Sequence, residues 1–354
     1  MNGELKLSEK AKNILNNETY LEKQTDWIKR LDNMFNNKPD IYLDEYVFVL
    51  DGIEGRTQYD LYKNPEEWII DCLEDVANRI EDTKKEGTFV PVCISYPLYG
   101  VHFIDKIFGA NVFFKDDQWW CEYINTPIGN LSMPDLENNE VFTLAKRACL
   151  FFLDQNVKLP LFGLPTIASA LNIIINLYGQ EILIAMLTDQ EAVKHDLRVI
   201  EDVLLAIHKW YRSILPPENL QPVVPAQRTQ PFNYGQICGC STALISAECY
   251  VDFIASLDAE LLGIYPKGGM IHLCGSHLQH IKAFREMKEL RAVQLNDRAA
   301  YDLEVYFNEL RNDQILYLNP SKEMTVEKAL RITHGNRLII VGNQAGPLEK
   351  STFL

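Results

Sequence analysis

From Tyr46 onward, short apolar runs of strand length alternate with longer amphipathic segments of helix length. The apolar runs occupy residues 89–94, 112–114, 159–162, 236–238, 270–272, 292–295, 314–317 and 337–340. Strands that alternate with helices are typical of parallel βαβ units. About eight such units, with no glycine-rich nucleotide loop after a strand, favour a closed barrel over an open doubly wound sheet. The pattern therefore predicts an α/β protein, a (β/α)8 TIM barrel with an N-terminal helical extension.

Local motifs mark where some of the predicted helices begin and where the N-terminal extension ends. Residues 64–67 (NPEE) predict a helix start, because asparagine caps a helix, proline suits its first position and acids suit its first turn. Residues 188–191 (TDQE) read as a capping box that opens a long helix through Trp210. Residues 1–45 are polar and charged with weak helical periodicity. We therefore expect the helical extension over residues 1–45 and the barrel over residues 46–354.

Charge and cysteine usage narrow the class of partner. The chain carries 34 basic and 49 acidic residues, a net charge of −15, and this argues against nucleic acid and anionic membranes as partners. The first residues lack the apolar core of a secretory signal, and the longest apolar stretch, residues 164–177, is too short to span a bilayer. Eight cysteines without a CxxC pair read as reduced thiols. We expect a soluble cytoplasmic protein.

The sequence HLCG at residues 272–275 is the main candidate site. Side chains alternate along a strand, so His272 and Cys274 share one face about 7 Å apart, within reach of one tetrahedral zinc. Cys238 and Cys240 end the preceding predicted strand and offer two further thiols, although two small core residues would give the same pattern. These four side chains are the candidate metal ligands. His277 and His280 follow in a helix start, where surface or capping roles are favoured over ligation.

Other polar and aromatic side chains follow strand ends, and in a barrel they would face the same mouth, the rim formed by the carboxyl ends of the strands. Asn296 and Asn343 are assigned with His272 and Cys274 to the catalytic group. Candidate substrate-binding residues are Tyr96, Tyr99, His102, Tyr234 and Gln344. Packing or helix capping would equally account for several of them.

Common catalytic motifs are missing: the chain has no GxGxxG after a strand, no GxxxxGK[ST], no GxSxG and no HExxH. The order HLCG, AVQLN, ILYLNP, TVEKAL and LIIVGN nevertheless resembles the C-terminal half of the uroporphyrinogen decarboxylase superfamily. Upstream, PLYGVHFIDKIFGANVFF and FGLPTIASALNIIINLYGQEILIAMLTDQEAV are similar to its early segments, and the likeness covers residues 85–347. The resemblance implies a (β/α)8 barrel.

Within that superfamily the chain resembles one branch more than the other. The true porphyrinogen decarboxylases carry an arginine-rich RQAGRY-like element near the N-terminus, whereas this chain reads DGIEGRTQYD with only Arg56. The other branch comprises zinc-dependent methyltransferases that use a corrinoid. There the HxC pair supplies two zinc ligands, which correspond to His272 and Cys274. Zinc in that branch lowers the pKa of an acceptor thiol, and the thiolate attacks the methyl group.

The chain departs from that branch at two positions. The branch adds a glutamate and a later cysteine, but the corresponding positions here hold Asn296 and Asn343 or Gln344, and neutral amides are poor zinc ligands. Either Cys238 or Cys240 substitutes, or the pocket has no metal and binds a small methylated compound or a corrinoid edge.

The sequence therefore predicts a corrinoid-linked methyltransferase that moves a methyl group between a cobalamin, or a corrinoid protein, and a small acceptor. Zinc is the expected cofactor and cobalamin the expected co-substrate. Two alternatives stay open: a non-catalytic or accessory ligand-binding barrel, and a decarboxylase or lyase of a small carboxylic acid. The expected partners are a small-molecule methyl donor or acceptor and a corrinoid protein, and a homodimer is compatible with the resemblance.

Overall fold

The computed structural model describes residues 5–222, 225–342 and 347–353. Its α-helices are α1 (Glu9–Leu15), α2 (Glu18–Phe35), α3 (Ile41–Glu45), α4 (Pro65–Asn78), α5 (Phe103–Ile107), α6 (Glu140–Asp154), α7 (Ala170–Tyr178), α8 (Glu181–Thr188), α9 (Gln190–Ile214), α10 (Ala247–Cys249), α11 (Ala255–Gly263), α12 (Ile281–Glu286), α13 (Leu303–Glu309) and α14 (Val326–Thr333). Its strands are β1 (Tyr46–Leu50), β2 (Ile53–Glu54), β3 (Thr88–Phe89), β4 (Val92–Ser95), β5 (Val112–Lys115), β6 (Gln118–Cys121), β7 (Leu161–Gly163), β8 (Leu220–Gln221), β9 (Gly235–Cys238), β10 (Gly269–Leu273), β11 (Leu290–Leu295), β12 (Ile315–Leu318), β13 (Leu338–Val341) and β14 (Leu348–Glu349).

Most strands pair in parallel, as the alternation of strands and helices predicts. One sheet has the order β14-β1-β13-β12-β11-β10-β9, with β3 also paired to β1, and within it β14 alone runs antiparallel. A second sheet has the order β2-β4-β7-β8 and is parallel throughout. The predicted strand at 112–114 instead joins β6 in a separate antiparallel hairpin. The mixed α/β class with mostly parallel strands is confirmed.

Backbone hydrogen bonds join the two parallel sheets along one side. Asp51 N donates to Phe89 O at 2.9 Å and Ile53 N donates to Pro91 O at 2.9 Å, bridging the short breaks between β1 and β2 and between β3 and β4. Elsewhere, Ser169 N, beyond β7, donates to the carbonyl of Cys238 at the end of β9, 3.0 Å away. Closure of these strands into one (β/α)8 barrel stays a prediction.

The helical segment at the N-terminus covers one face of the first sheet. Residues of α2 form a buried cluster with side chains of the strands and with Tyr234: Trp27, Ile28, Leu31, Phe35, Phe48, Leu50, Phe89, Tyr234, Met270, Ala292, Ile315, Tyr317, Ile339 and Val341. Two polar contacts hold α2 there, from Lys267 Nζ to Asp32 Oδ1 at 2.6 Å and from Arg291 Nη2 to Phe35 O at 2.7 Å. The helix is thus part of the core, and the domain boundary at residue 45 stays a prediction.

Two predicted helix starts lie close to their expected positions. Pro65 is the first residue of α4, as residues 64–67 predict. The long helix α9 begins at Gln190, and its cap is Asp189, whose carboxylate accepts from Ala192 N, rather than Thr188. Thr188 instead ends α8. The predicted capping box is therefore wrong: Thr188 belongs to the preceding helix, the N-cap is Asp189, and the third helical residue is Ala192, which has no carboxylate to complete the box.

The apolar stretch at 164–177 leads into α7, a core helix with buried side chains that include Leu171 and Ile174. Within the described ranges, no single helix combines the length and the apolar composition needed to cross a bilayer. The pair α7 and α8 passes that test only when taken together, and it is bent by 111°.

Buried acids between α9 and α11 give stability a predictable dependence on pH. Burial raises the pKa of Glu201 to about 9 and that of Asp258 to about 7. In the unfolded chain both groups ionise near pH 4, so between those values the native state holds more protons. The free energy of unfolding should fall as the pH rises from about 4.5, with Asp258 contributing up to about pH 7 and Glu201 up to about pH 9, by at most about 1.4 kcal/mol per pH unit for each group within its own range. Urea unfolding across this range measures it.

Glu201→Gln should flatten that slope, because glutamine has no proton to lose. Glu327→Gln is the matched control, since its side chain is 61% exposed and pairs with Arg331 at the surface. Equal slopes in the wild type and in Glu201→Gln would contradict the assignment of the buried proton.

Candidate functional site

The register of three parallel strands aligns the candidate residues in rows. Cys238 of β9, His272 of β10 and Gln294 of β11 are direct cross-strand partners. The ladder continues past the strand ends, where Gly239 N donates to His272 O at 2.9 Å and Asn296 N donates to Leu273 O at 2.9 Å. Since side chains two residues apart share a face, Cys240, Cys274 and Asn296 form the next row toward the carboxyl ends.

The His272 ring is fixed from both sides and is only 4% exposed. Its Nδ1 lies 2.9 Å from Gln294 Oε1, and its Nε2 lies 3.0 Å from Cys274 Sγ. Gln294 Nε2 donates to Asn319 Oδ1 at 2.8 Å, which directs the amide oxygen to the imidazole. Nδ1 therefore carries a proton for Gln294, and Nε2 is directed at the thiols, where it can donate to a thiolate in the metal-free protein or bind a metal as a ligand.

The three thiols share their protons unequally. Cys240 lies 3.7 Å from Cys238, sulfur to sulfur, and also hydrogen-bonds the sulfur of Cys274. The hydrogen bond from Cys240 lowers the pKa of Cys238 to about 6, and the same donor, together with His272, lowers the pKa of Cys274 to about 4. The pKa of Cys240 is raised, because its proton serves two anionic neighbours. The buried Arg228 guanidinium interacts electrostatically with all three cysteines, and its positive charge favours their thiolates.

This donor set fits a tetrahedral zinc. One ligand atom each from Cys238, Cys240 and His272 lies within 4.8 Å of the other two. Zinc–sulfur bonds of about 2.3 Å place two sulfurs of a tetrahedron about 3.8 Å apart, close to the 3.7 Å between Cys238 and Cys240. A disulfide would need about 2.05 Å. Cys274 lies outside this group of three, but its Sγ is 3.0 Å from His272 Nε2, and with it the residues offer three sulfurs and one nitrogen, a common zinc set.

Asn296 lies beside the cluster as a donor rather than a ligand. Its Nδ2 is 3.8 Å from Cys274 Sγ and 3.0 Å from Asp297 Oδ2. An amide N–H directed at sulfur stabilises a thiolate, which agrees with the low pKa of Cys274. Asn343 and Gln344 lie outside the described residues.

The candidate substrate-binding residues occupy three different environments. Tyr96 is fully buried and donates its hydroxyl to Leu61 O. Tyr99 packs against the rings of Tyr62 and Trp119, and His102 pairs with Asp105 at 2.6 Å. Tyr234 precedes β9 and packs on Phe35 at a ring distance of 4.8 Å. Four residues of strand, about 13 Å, separate it from Cys238, so it is not brought to the cluster.

Three contributors to this site were missed from the sequence. Gln294 could have been found from the sequence, because it is a polar residue in an apolar strand and shares a face with Asn296. Asn319 follows β12 as Asn296 follows β11. Arg228 lies in the proline-rich loop, where sequence gives no register. The surface or capping role for His277 and His280 is wrong: both are fully buried, and both bond Thr242, at 2.8 Å each.

Thiol alkylation tests the ionisation of Cys274. In metal-free protein, its rate of reaction with iodoacetamide should change less than about twofold between pH 5.5 and pH 7.5, because the thiolate is already formed. A free small thiol in the same solution should react about tenfold faster per pH unit over that range. Mass spectrometry of peptides measures both. A tenfold rise per unit at Cys274 would contradict the low pKa.

Comparison with known proteins adds a likeness of fold. No family model matches the chain, and no curated protein matches it in sequence. Among solved structures, it is similar to a methyltransferase from Methanosarcina mazei, with a TM-score of 0.61. The two chains are 10% identical, and the match covers 91% of this chain and 94% of the other. At that identity the likeness establishes a shared fold across nearly the whole chain.

Proposed function

We propose that the protein is a zinc-dependent methyltransferase that moves a methyl group between a corrinoid and a small acceptor thiol. The observation that carries this proposal is the cluster of Cys238, Cys240, His272 and Cys274 at the carboxyl ends of adjacent parallel strands. Chemistry in (β/α)8 barrels occurs at that end, so we propose that the two parallel sheets are parts of one such barrel. The similar fold of a methyltransferase supports the proposal, as does the HLCG strand typical of the uroporphyrinogen decarboxylase superfamily.

Cys238, Cys240 and His272 would hold the metal, with Cys274 as a fourth, exchangeable ligand. When bound, zinc supplies Lewis-acid activation that lowers the pKa of an acceptor thiol. Gln294 keeps the proton on His272 Nδ1 and so leaves Nε2 free. Three thiolates carry more negative charge than one divalent cation neutralises. The positive charge of Arg228 would offset the remainder.

Cys274 is the residue suited to handle the acceptor's proton. Were zinc to bind the acceptor thiol in place of Cys274, it would lower the pKa of that thiol, and the released Cys274 Sγ would be the group beside it that can take the proton; Asn296 Nδ2 lies 3.8 Å from this sulfur. The acceptor sulfur then forms a bond to the methyl carbon while the cobalt–carbon bond breaks, and the electron pair of that bond stays with cobalt. Charge and atoms balance without a further reactant.

A second function has one specific observation in its favour. Three cysteines and one histidine can close a tetrahedral site completely, as in structural zinc sites, which would leave an accessory ligand-binding barrel. The two functions differ in whether Cys274 is released. They therefore predict different behaviour of Cys274→Ser.

The test uses the full chain, purified without a chelator or a histidine tag. Metal content and methylcobalamin demethylation with a panel of small thiols and tetrahydrofolate are measured together. We expect zinc to be lost from the cluster in Cys238→Ser, whereas Cys274→Ser keeps it and changes turnover. Cys249→Ser is the matched control, since this half-buried cysteine of α10 is outside the cluster. Zinc without demethylation of any acceptor would favour the accessory barrel, and the absence of zinc would overturn both.

A further inference from the structure

A second group of metal-binding side chains lies in another part of the fold. His102 precedes α5, Asp105 belongs to α5, and Cys121 ends β6 of the hairpin. One ligand atom from each of the three lies within 4.8 Å of the other two. We propose that His102, Asp105 and Cys121 form a second site for a zinc-like divalent cation, separate from the cysteine cluster.

The buried carboxylate of Asp105 gives the first reason. The residue is fully buried, and its Oδ2 accepts from His102 Nδ1 at 2.6 Å and from Asn176 Nδ2 at 2.8 Å. Its other oxygen, Oδ1, is also buried and makes no hydrogen bond to any residue that the structure describes. A buried carboxylate is costly unless a charge compensates it, and buried polar atoms rarely lack a partner. A cation at this position supplies both the charge and the missing contact.

The mixture of donors selects the class of cation. Imidazole, carboxylate and thiolate together suit zinc, whereas magnesium and calcium take oxygen ligands. On binding, the bond from Cys121 Sγ to the metal replaces the S–H bond, and the proton passes to solvent. Three protein ligands leave a fourth tetrahedral position for water or a small ligand. Access exists, because the His102 side chain is 13% exposed and Cys121 is half-buried.

The neighbouring contacts show what such a metal would hold together. Asn176, on α7, hydrogen-bonds Asp105 and so orients a ligand from outside the metal's own shell. One turn earlier on α7, about 6 Å along the axis, Asn172 Oδ1 accepts from Ser241 N, beside Cys240. The metal would therefore fasten the β5–β6 hairpin to the helix that also contacts the cysteine cluster.

Cobalt titration tests this site without any assay of activity. In the variant Cys238→Ser/Cys240→Ser/Cys274→Ser, which keeps five cysteines, added Co²⁺ should still give a near-ultraviolet sulfur-to-cobalt charge-transfer band, which we assign to Cys121. Adding Cys121→Ser should abolish the band, and adding the control Cys249→Ser should leave it unchanged. A folded triple variant without the band overturns the proposal, because a plain His102–Asp105 ion pair then accounts for the cluster.

Zinc stoichiometry keeps the proposal testable if the triple variant fails to fold. The wild-type chain, loaded with excess zinc and dialysed, should retain two equivalents, and Cys121→Ser or Asp105→Asn should retain one. A wild-type value of one that is unchanged in Cys121→Ser overturns the second site. Neither the cobalt titration nor the zinc stoichiometry depends on methyl transfer. A protein that transfers no methyl group could therefore still show the second metal site.

Discussion

Replacing His272 by alanine is expected to weaken zinc binding at the cysteine cluster by about 100-fold or more and to abolish methylcobalamin demethylation. The imidazole is the only nitrogen donor within the cluster as the structure describes it, and it also lowers the pKa of Cys274. Its loss removes a ligand and returns that thiol toward its protonated form. Competition with a chromophoric chelator measures the affinity, and absorbance of methylcobalamin measures turnover.

Two further variants show whether the effect is specific. Gln294→Leu should weaken zinc binding about 10–100-fold, because the ring is no longer oriented although the ligand remains. His334→Asn should change neither measurement, since His334 is exposed at the end of α14 and asparagine tolerates its positive φ of 52°. Unchanged zinc affinity in His272→Ala would contradict the assigned ligand set.

Phe35→Ala is expected to lower the free energy of unfolding by about 3–5 kcal/mol, the largest effect on stability that we expect from one side chain of the N-terminal segment. The ring is fully buried and lies 4.8 Å from the ring of Tyr234 and 6.3 Å from that of Tyr317. Its removal leaves a cavity under the strands. Urea unfolding followed by circular dichroism measures the change.

Phe114→Ala is the control, because that ring is 57% exposed on the hairpin and should cost about 1 kcal/mol or less. Zinc content should remain normal in Phe35→Ala wherever the variant is folded, since the substitution lies at the other end of the strands. Equal costs for the two variants would show that α2 contributes little to the core.

The periodicity of the sequence could predict the features of this fold that depend on residues close together in the chain. Alternation placed His272 and Cys274 on one face, and cap chemistry located the start of α4 at Pro65. It could not reveal that α2 covers the strands, because its polar composition describes the outer face of the helix. Nor could it show that the run at 112–114 pairs within a hairpin, since short apolar runs look alike in either kind of sheet.

The site was predictable where residues follow strand ends and unpredictable where distant loops meet. Cys238 could be placed beside His272 because consecutive strands commonly pair. Arg228 lies in a short 3-10 helix within the proline-rich segment, and its electrostatic influence on the cysteines depends on the whole tertiary structure. His277 and His280 were misjudged because a helix start near a strand end can be buried beneath the segment that follows the neighbouring strand, here β9, whose Thr242 bonds both rings.

The two ends of strand β10 carry residues of different function on the same face. Met270 belongs to the apolar cluster under α2, while His272, two residues later, belongs to the sulfur cluster. Different residues of the same strand therefore serve stability and the candidate site. The apolar end stabilises the register of the strand regardless of which residues occupy the other end. Residues at the carboxyl end of β10 can therefore be exchanged without disturbing the pairing of this strand with β9 and β11.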